Sequence, residues 1–258
     1  MNTKILIYII RNPKIRIPVI GALLFILVCL GTSLMSPYFY APATVVVNPS
    51  SVVLGSTDYG DVIKEGPYGN ASSPVKIAFI VGVHPWEVYA HKMAINSIKI
   101  HTKSLKYCYY IYQVNVTNGV DSDYETGRMD GQQLAYNYAV PDIEKQNFQL
   151  AIDVHSNKGA LDYYDVGWFL NVPVEDAQTS RLAYQIQSKI PGIVFYNPPD
   201  PTSPYYVTVP LIKSGTPAII YEAYAYDDPQ IGQSKMDKLL YAVDSLHLSL
   251  KYPVEKLA

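Results

Sequence analysis

Two imidazoles and two carboxylates stand where apolar runs end. His84 and Glu87 directly follow Val75–Val83 (VKIAFIVGV), His155 closes FQLAIDV, and Glu222 closes PAIIYE. His-x-x-Glu is a compact pair. At the start of a helix, positions i and i+3 share one face, so both side chains can reach one ion. A second imidazole from a neighbouring strand end completes a His2Glu set, leaving a fourth position open for water, as catalytic zinc requires. A separate carboxylate can then take a proton from that water, and Glu222 is the candidate. No Gly-x-Ser-x-Gly elbow, phosphate-binding glycine loop or dinucleotide fingerprint offers a competing chemistry.

These residues must be positioned by alternating strands and helices. The patterning predicts strands at Val75–Val83, Tyr107–Val114, Phe148–Val154, Val166–Val172, Gly192–Tyr196 and Ala218–Glu222. Helices are expected from His84 to about Ile100, over Val174–Lys189, Thr208–Lys213 and Pro229–Leu250, with a helical turn at 132–139. Glu65–Pro74, the polar stretch Asn115–Gly131 and the proline-rich Asn197–Ser203 read as loops. Such alternation implies an α/β fold: an open, mixed, mostly parallel sheet with helices on both faces. Sites in such sheets gather at the carboxyl ends of strands.

At 258 residues the chain has room for one domain and a terminal appendage. Hydrophobic residues at 49% exclude global disorder, while charged residues, at 16%, fall short of the roughly 25% of an ordinary soluble domain. The shortfall begins at the N-terminus. From Ile17 to Thr57 there is no Asp, Glu, Lys, Arg or His, and Ile17–Ser36 is almost continuously apolar. About 20 such residues span a bilayer core. Lys4, Arg11, Lys14 and Arg16 precede it without an acidic residue, which places that end in the cytoplasm and the rest outside. An uncleaved anchor is expected rather than a cleaved signal. No small-x-small site is evident, Pro37 follows Ser36, and Cys29 has Val28 before it. The expected organisation is a basic cytoplasmic segment at 1–16, one transmembrane helix at 17–36, a linker and extended lead-in at 37–57, and a catalytic domain at 58–258. Two Val-rich runs in the lead-in look like strands.

Without the four basic residues of the first segment, 16 basic side chains face 22 acidic ones, so nucleic acid is excluded as a partner. Cys29 lies in the apolar run and Cys108 is alone outside it, so neither an internal disulfide nor a cysteine zinc cluster is available. Asn70-Ala-Ser and Asn115-Val-Thr are glycosylation sequons compatible with an outer location. Twenty-four tyrosines suit half-buried strands and wet pockets, or a sugar-binding surface. His91, His101 and His247 are expected at helix surfaces.

GVHPWE, DVHSN and PAIIYEAY, in this order, resemble the zinc carboxypeptidases, most of all the branch that includes succinylglutamate desuccinylase and aspartoacylase. The resemblance covers about residues 75–250. It implies that His84, Glu87 and His155 hold one Zn2+ per chain, that Glu222 is the general base, and that Asp153 sits behind the site, where a carboxylate orients a ligand imidazole. It implies a carbonyl-polarising arginine, for which Arg128 (TGRMDG) is the match. In the family an Asn-Arg pair then binds the substrate carboxylate. Here Asn137 matches, and Tyr138 stands where the arginine belongs. A tyrosine cannot replace the charge of a guanidinium fork, so the chemistry is kept while recognition of a free C-terminus is altered. Tyr205 and Tyr206 fall near the place from which the family contributes a pocket tyrosine.

The expectation is a membrane-anchored, outward-facing zinc metallohydrolase that cleaves an amide or peptide bond. From its address, the substrate class is a peptide or cell-wall polymer. A cell-wall amidase or endopeptidase is the second reading, because DVHSN and GTPAIIYEAY also resemble the late motifs of zinc amidases; those space their first His and Glu further apart. A catalytically degenerate domain binding wall polymer or a partner is the third, motivated by Tyr138 and the tyrosine content.

Overall fold

The computed structural model describes residues 45–161, 164–199 and 201–248, with Lys14 and Phe25. The expected cytoplasmic segment, the transmembrane helix at 17–36 and the start of the linker lie outside this set. Among the described residues no helix is long and apolar enough to cross a membrane.

The chain order is β1 (Ser50–Thr57), β2 (Gly60–Gly69), β3 (Lys76–Val81), α1 (Val88–His101), β4 (Cys108–Val116), α2 (Tyr124–Leu134), α3 (Val140–Lys145), β5 (Leu150–Asn157), β6 (Phe169–Asn171), α4 (Ala177–Gln187), β7 (Val194–Phe195), α5 (Thr208–Lys213), β8 (Ala218–Tyr224) and α6 (Pro229–Asp244). A π-helical turn, Ala135–Ala139, joins α2 to α3. The strands form one sheet in the order β1-β2-β4-β3-β5-β8-β6-β7. The central β4, β3, β5 and β8 are parallel neighbours. On the flanks, β1 and β2 pair antiparallel, as do β2 and β4 and β6 and β8, while β7 runs parallel to β6. This is the mixed α/β sheet that the alternation implies.

Side chains alternate across a strand, so each strand feeds two cores. Ile77, Phe79 and Val81 of β3 pack with α1, α4 and α6, whereas Ala78 and Ile80 pack with α2, α3 and α5. The same alternation sorts β5: Leu150, Ile152 and Val154 join the first core, and Ala151 joins the second. Asp153 and His155 therefore share the second face. On β8, Ile219, Tyr221 and Ala223 join the first core, which leaves Glu222 on the second. Removing a buried aliphatic such as Ile80 costs about 2–5 kcal/mol. The chain leaves β3 through α1 to β4 on one side, while β5 lies on the other. The carboxyl ends of β3 and β5 thus flank a topological switch point, where such sheets place their ligands.

Three expectations are corrected. Residues 65–69 are strand, not loop: β2 continues through Gly66-Pro67 because a register shift between Glu65 and Tyr68 absorbs the interruption. The second Val-rich run, residues 50–57, is strand β1, in keeping with its strand-like pattern. The polar stretch 115–131 contains most of α2, whose start is fixed by Asp123 accepting from the Thr126 N–H at 3.1 Å. The helix after β3 begins at Val88, so His84 and Glu87 lie on the turn that precedes it.

Candidate metal centre

The turn after β3 is closed by a backbone bond from Glu87 N–H to His84 O at 3.1 Å, and α1 starts from it with the His91 N–H on Glu87 O at 3.4 Å. This folds His84 and Glu87 toward the end of β5. Both oxygens of Glu87 face imidazoles: His84 Nδ1 lies 2.7 Å from Oε1, and His155 Nδ1 lies 2.8 Å from Oε2. The Ser156 N–H donates to the same Oε2 at 3.1 Å, which ties the carboxylate to β5. The ring centroids of His84 and His155 are 4.6 Å apart. One ligand atom from each of His84, Glu87 and His155 lies within 4.8 Å of the others.

The outer ring nitrogens face other groups. His155 Nε2 is 3.1 Å from Asp153 Oδ1. Asp153 is fully buried beside that ring. His155 is thus the imidazole that Asp153 serves, as its position two residues along one strand dictates. His84 Nε2 is 3.3 Å from the Gln132 amide, which also reaches Thr202 Oγ1 at 3.1 Å. Asp153 beside His155 Nε2 favours the tautomer that leaves the inner Nδ1 lone pair to an ion, as a ligand imidazole needs. The donor set fits zinc.

Glu222 is in register with His155, and its Oε2 accepts from Asn157 Nδ2 at 3.0 Å. Burial, and then the negative charge of Glu87, push its pKa up to about 8. Burial works against the charged form of Glu87, but His84 and His155 hold it well below the usual carboxylate range. For His155, burial opposes protonation and is outweighed by Asp153 and Glu87, so its pKa is raised. For His84, burial prevails over Glu87 and the pKa is lowered.

Arg128 projects from α2. Its NH1 is 3.2 Å from His84 Nδ1 and 4.0 Å from Glu87 Oε1, and its NH2 donates to Thr202 Oγ1 at 3.4 Å. Tyr124, one turn earlier, lies under the guanidinium at 5.5 Å.

The structure thus brings together six of the sequence-derived residues: His84, Glu87, His155, Asp153, Glu222 and Arg128. It does not bring the other four to the cluster. Asn137 is exposed on the π-helical turn. Tyr138 lies over Gly55 of β1, so close that a Cβ there would sit 2.1 Å from its ring, and its hydroxyl is 3.5 Å from Ser56 O. Tyr205 is exposed, and the Tyr206 ring packs at 6.2 Å from Tyr136. After α2 the π turn changes the facing of successive residues, which turns position 138 toward β1. His91 is a further correction. It is buried one turn after Glu87, and burial lowers its pKa to about 3.

Sequence reading missed Gln132, Thr202, Asn157 and Tyr164. Gln132 is four residues after Arg128, a signal legible once α2 is recognised. Asn157 continues the Asp153, His155 alternation. Tyr164 packs on Phe169, the cross-strand partner of Glu222, and burial and then the charges of Glu222 and Glu87 push the pKa of its hydroxyl up.

Neither a protein-family profile nor a curated protein matches the sequence. Solved structures do match its fold. A metallo-carboxypeptidase from Pseudomonas aeruginosa aligns at TM-score 0.50 and 11% identity, over 77% of this chain and 64% of that one. The product-bound cell shape determinant protein Csd4 from Helicobacter pylori aligns at TM-score 0.51 and 11% identity, over 76% and 57%. An aspartoacylase family protein from Mesorhizobium loti aligns at TM-score 0.46 and 12% identity, over 84% and 68%. The fold is that of the metallo-carboxypeptidases, and the clustered His84, Glu87 and His155 form a candidate metal site at its switch point.

Proposed function

We propose that the chain is a zinc-dependent hydrolase of amide or peptide bonds, anchored by residues 17–36 with its catalytic domain outside the cytoplasm. The observation that carries the hydrolase reading is the convergence of His84 Nδ1 and His155 Nδ1 on one carboxylate, Glu87, with Glu222 in register beside them. The apolar run Ile17–Ser36 and the basic residues before it support the address. A divalent ion bound there would supply a Lewis acid, a water of lowered pKa, and a positive charge that draws Glu222 back to its ionised form.

The chain's own residues do the rest. Asn157 fixes Glu222 Oε2, so the other oxygen takes the proton from water and returns it to the leaving amine. Arg128 faces the cluster and stabilises the charge that the carbonyl oxygen gains as its carbon becomes tetrahedral. Asp153 and Gln132 hold the imidazole rings. One solved structure of this fold is a cell shape determinant, and with an outward address this makes wall peptides the first substrates to try.

Recognition favours internal or blocked carboxyl groups. Apart from Arg128, the domain's one arginine is Arg181, which is exposed on α4, and Tyr138 packs on β1. No second guanidinium grips a free C-terminus, which favours the endopeptidase or amidase form of the reading.

The test is amine release, followed by mass spectrometry, from peptides with free and amidated C-termini and from wall stem peptides, using the zinc-loaded full chain. Release at equal or higher rate from amidated substrates is expected, with Glu222→Gln slower by about 10²–10⁴-fold. No release from any substrate, or equal release by Glu222→Gln, contradicts the hydrolase reading and promotes a binding domain. A strict need for a free carboxylate overturns only the recognition argument.

A further inference from the structure

The segment between β7 and α5 carries four prolines, Pro198, Pro199, Pro201 and Pro204. Each fixes its own φ and restricts the residue before it, so the chain around Thr202 has few conformations to choose from. The segment is also anchored on both sides of Thr202. Asn171 Nδ2 donates to Tyr196 O and to Asn197 Oδ1, each at 3.0 Å, and Ser203 and Pro204 are buried. Thr202 itself is exposed.

Thr202 occupies the N-cap of a short 3-10 turn, Ser203–Tyr205. A threonine there ordinarily accepts from an N–H of its own first turn. The Thr202 side chain makes no such bond. Its hydroxyl oxygen accepts instead from two side chains of α2, the Gln132 amide at 3.1 Å and the Arg128 guanidinium at 3.4 Å. A hydroxyl oxygen has two lone pairs, and both are turned to this helix. Positions 128 and 132 lie one above the other on a helix face, which explains why they meet at one atom.

Arg128 is thereby held from two directions. The Tyr124 ring lies under the guanidinium, 5.5 Å away. A ring face sets the height of the cation above it but leaves it able to rotate over the ring. The bond from one amino group to Thr202 Oγ1 removes that rotation, with the other amino group turned to His84 and Glu87. Rotation matters for the chemistry. A developing oxyanion is stabilised only by donors aimed at the place where its charge appears, and a misplacement of about 1 Å can cost about 10²-fold in rate.

We propose that Thr202 is a positioning residue: its hydroxyl fixes the rotation of the Arg128 guanidinium, so that the remaining N–H groups point at the reacting carbonyl, and it ties this alignment to the proline-rich segment. The consequence for turnover rests on the hydrolase reading. The hold on Arg128 does not.

The experiment compares Thr202→Val, which keeps the shape and removes the acceptor, with Thr202→Ser, which keeps the acceptor, both in the zinc-loaded full chain. Thr202 is exposed, so neither variant disturbs the core. The first readout needs no turnover: the rate at which phenylglyoxal modifies Arg128, followed by peptide mapping, with the exposed Arg181 as reference. Thr202→Val should speed modification of Arg128 about three- to tenfold, while Thr202→Ser and the Arg181 rate stay at wild-type values. The second readout is steady-state hydrolysis. Thr202→Val should lower kcat by about 10–10²-fold with KM and zinc content unchanged, Thr202→Ser should restore it, and Thr202→Val should cost nothing further in an Arg128→Ala background. Equal Arg128 reactivity in Thr202→Val and wild type overturns the proposal. So does a loss of kcat in Thr202→Val that persists in full when Arg128 is already alanine. Absence of hydrolysis by wild type contradicts the hydrolase reading alone, and the reactivity of Arg128 still decides whether Thr202 holds it.

Discussion

On one wall of the candidate site, β5 and β8 carry Asp153, His155, Asn157 and Glu222 on one face of paired parallel strands. On the other, α2 carries Tyr124, Arg128 and Gln132 at helical spacing. The strand wall is locked by the backbone ladder and by a buried carboxylate behind His155. The helix wall is held by side-chain contacts of 3.1–3.5 Å that meet at Thr202 and Tyr124. The difference teaches a division of labour. The candidate ligand His155 and the carboxylates Asp153 and Glu222 are mounted on strands, while Arg128 sits on a helix whose side chains can adjust.

That contrast is sharpest in Arg128→Ala. On the helix wall, the substitution should cut turnover by about 10²–10³-fold while metal occupancy stays unchanged. Loss of metal in this variant would erase the division. On the strand wall, Asp153→Asn should weaken zinc affinity by about 10–100-fold, read by competition with a chelator. Gln132→Leu tests the neutral counterpart behind His84 and should weaken zinc less than Asp153→Asn does, with Gln132→Glu restoring it. Equal losses at the two positions would show that charge behind the imidazole does not matter.

The smallest effect concerns how the helix wall is anchored. Burial pushes Asp142 of α3 up, but hydrogen bonds from Tyr112 at 2.6 Å and Lys64 at 2.9 Å hold it below the usual carboxylate range. A depressed carboxyl contributes stability above its unfolded pKa of about 3.9 and loses it as pH falls through the folded value. The urea midpoint of wild type should therefore exceed that of Asp142→Asn at neutral pH, and the gap should close below about pH 4. A gap that stays constant into acid contradicts this assignment.

The strand wall was legible in the sequence because a period of two is stiff: Asp153 and His155 had to share a face once FQLAIDV was read as a strand. His84 and Glu87 were legible by type and spacing, although they sit on a turn rather than on helix α1. The helix wall was not legible. Most of α2 is polar, its apolar stripe is thin, and its start depends on the Asp123 cap, so Arg128 fell in a loop reading and Gln132, at the start of the expected helical turn, was not set on one helix face with it. Tyr138 was misplaced for a related reason. Position by position it matches a ligand-gripping arginine, but the π turn aims it at Gly55. Thr202 and Tyr164 reach the site through tertiary packing that no local pattern encodes.

The most direct test of the central claim is metal content. The full chain, purified without added metal, is assayed by elemental analysis together with His84→Ala, His155→Ala and Arg128→Ala, with circular dichroism to establish folding. The account predicts about one zinc per chain, lost in both histidine variants and kept in Arg128→Ala. A folded wild-type protein that holds no stoichiometric metal even after zinc is supplied would contradict it.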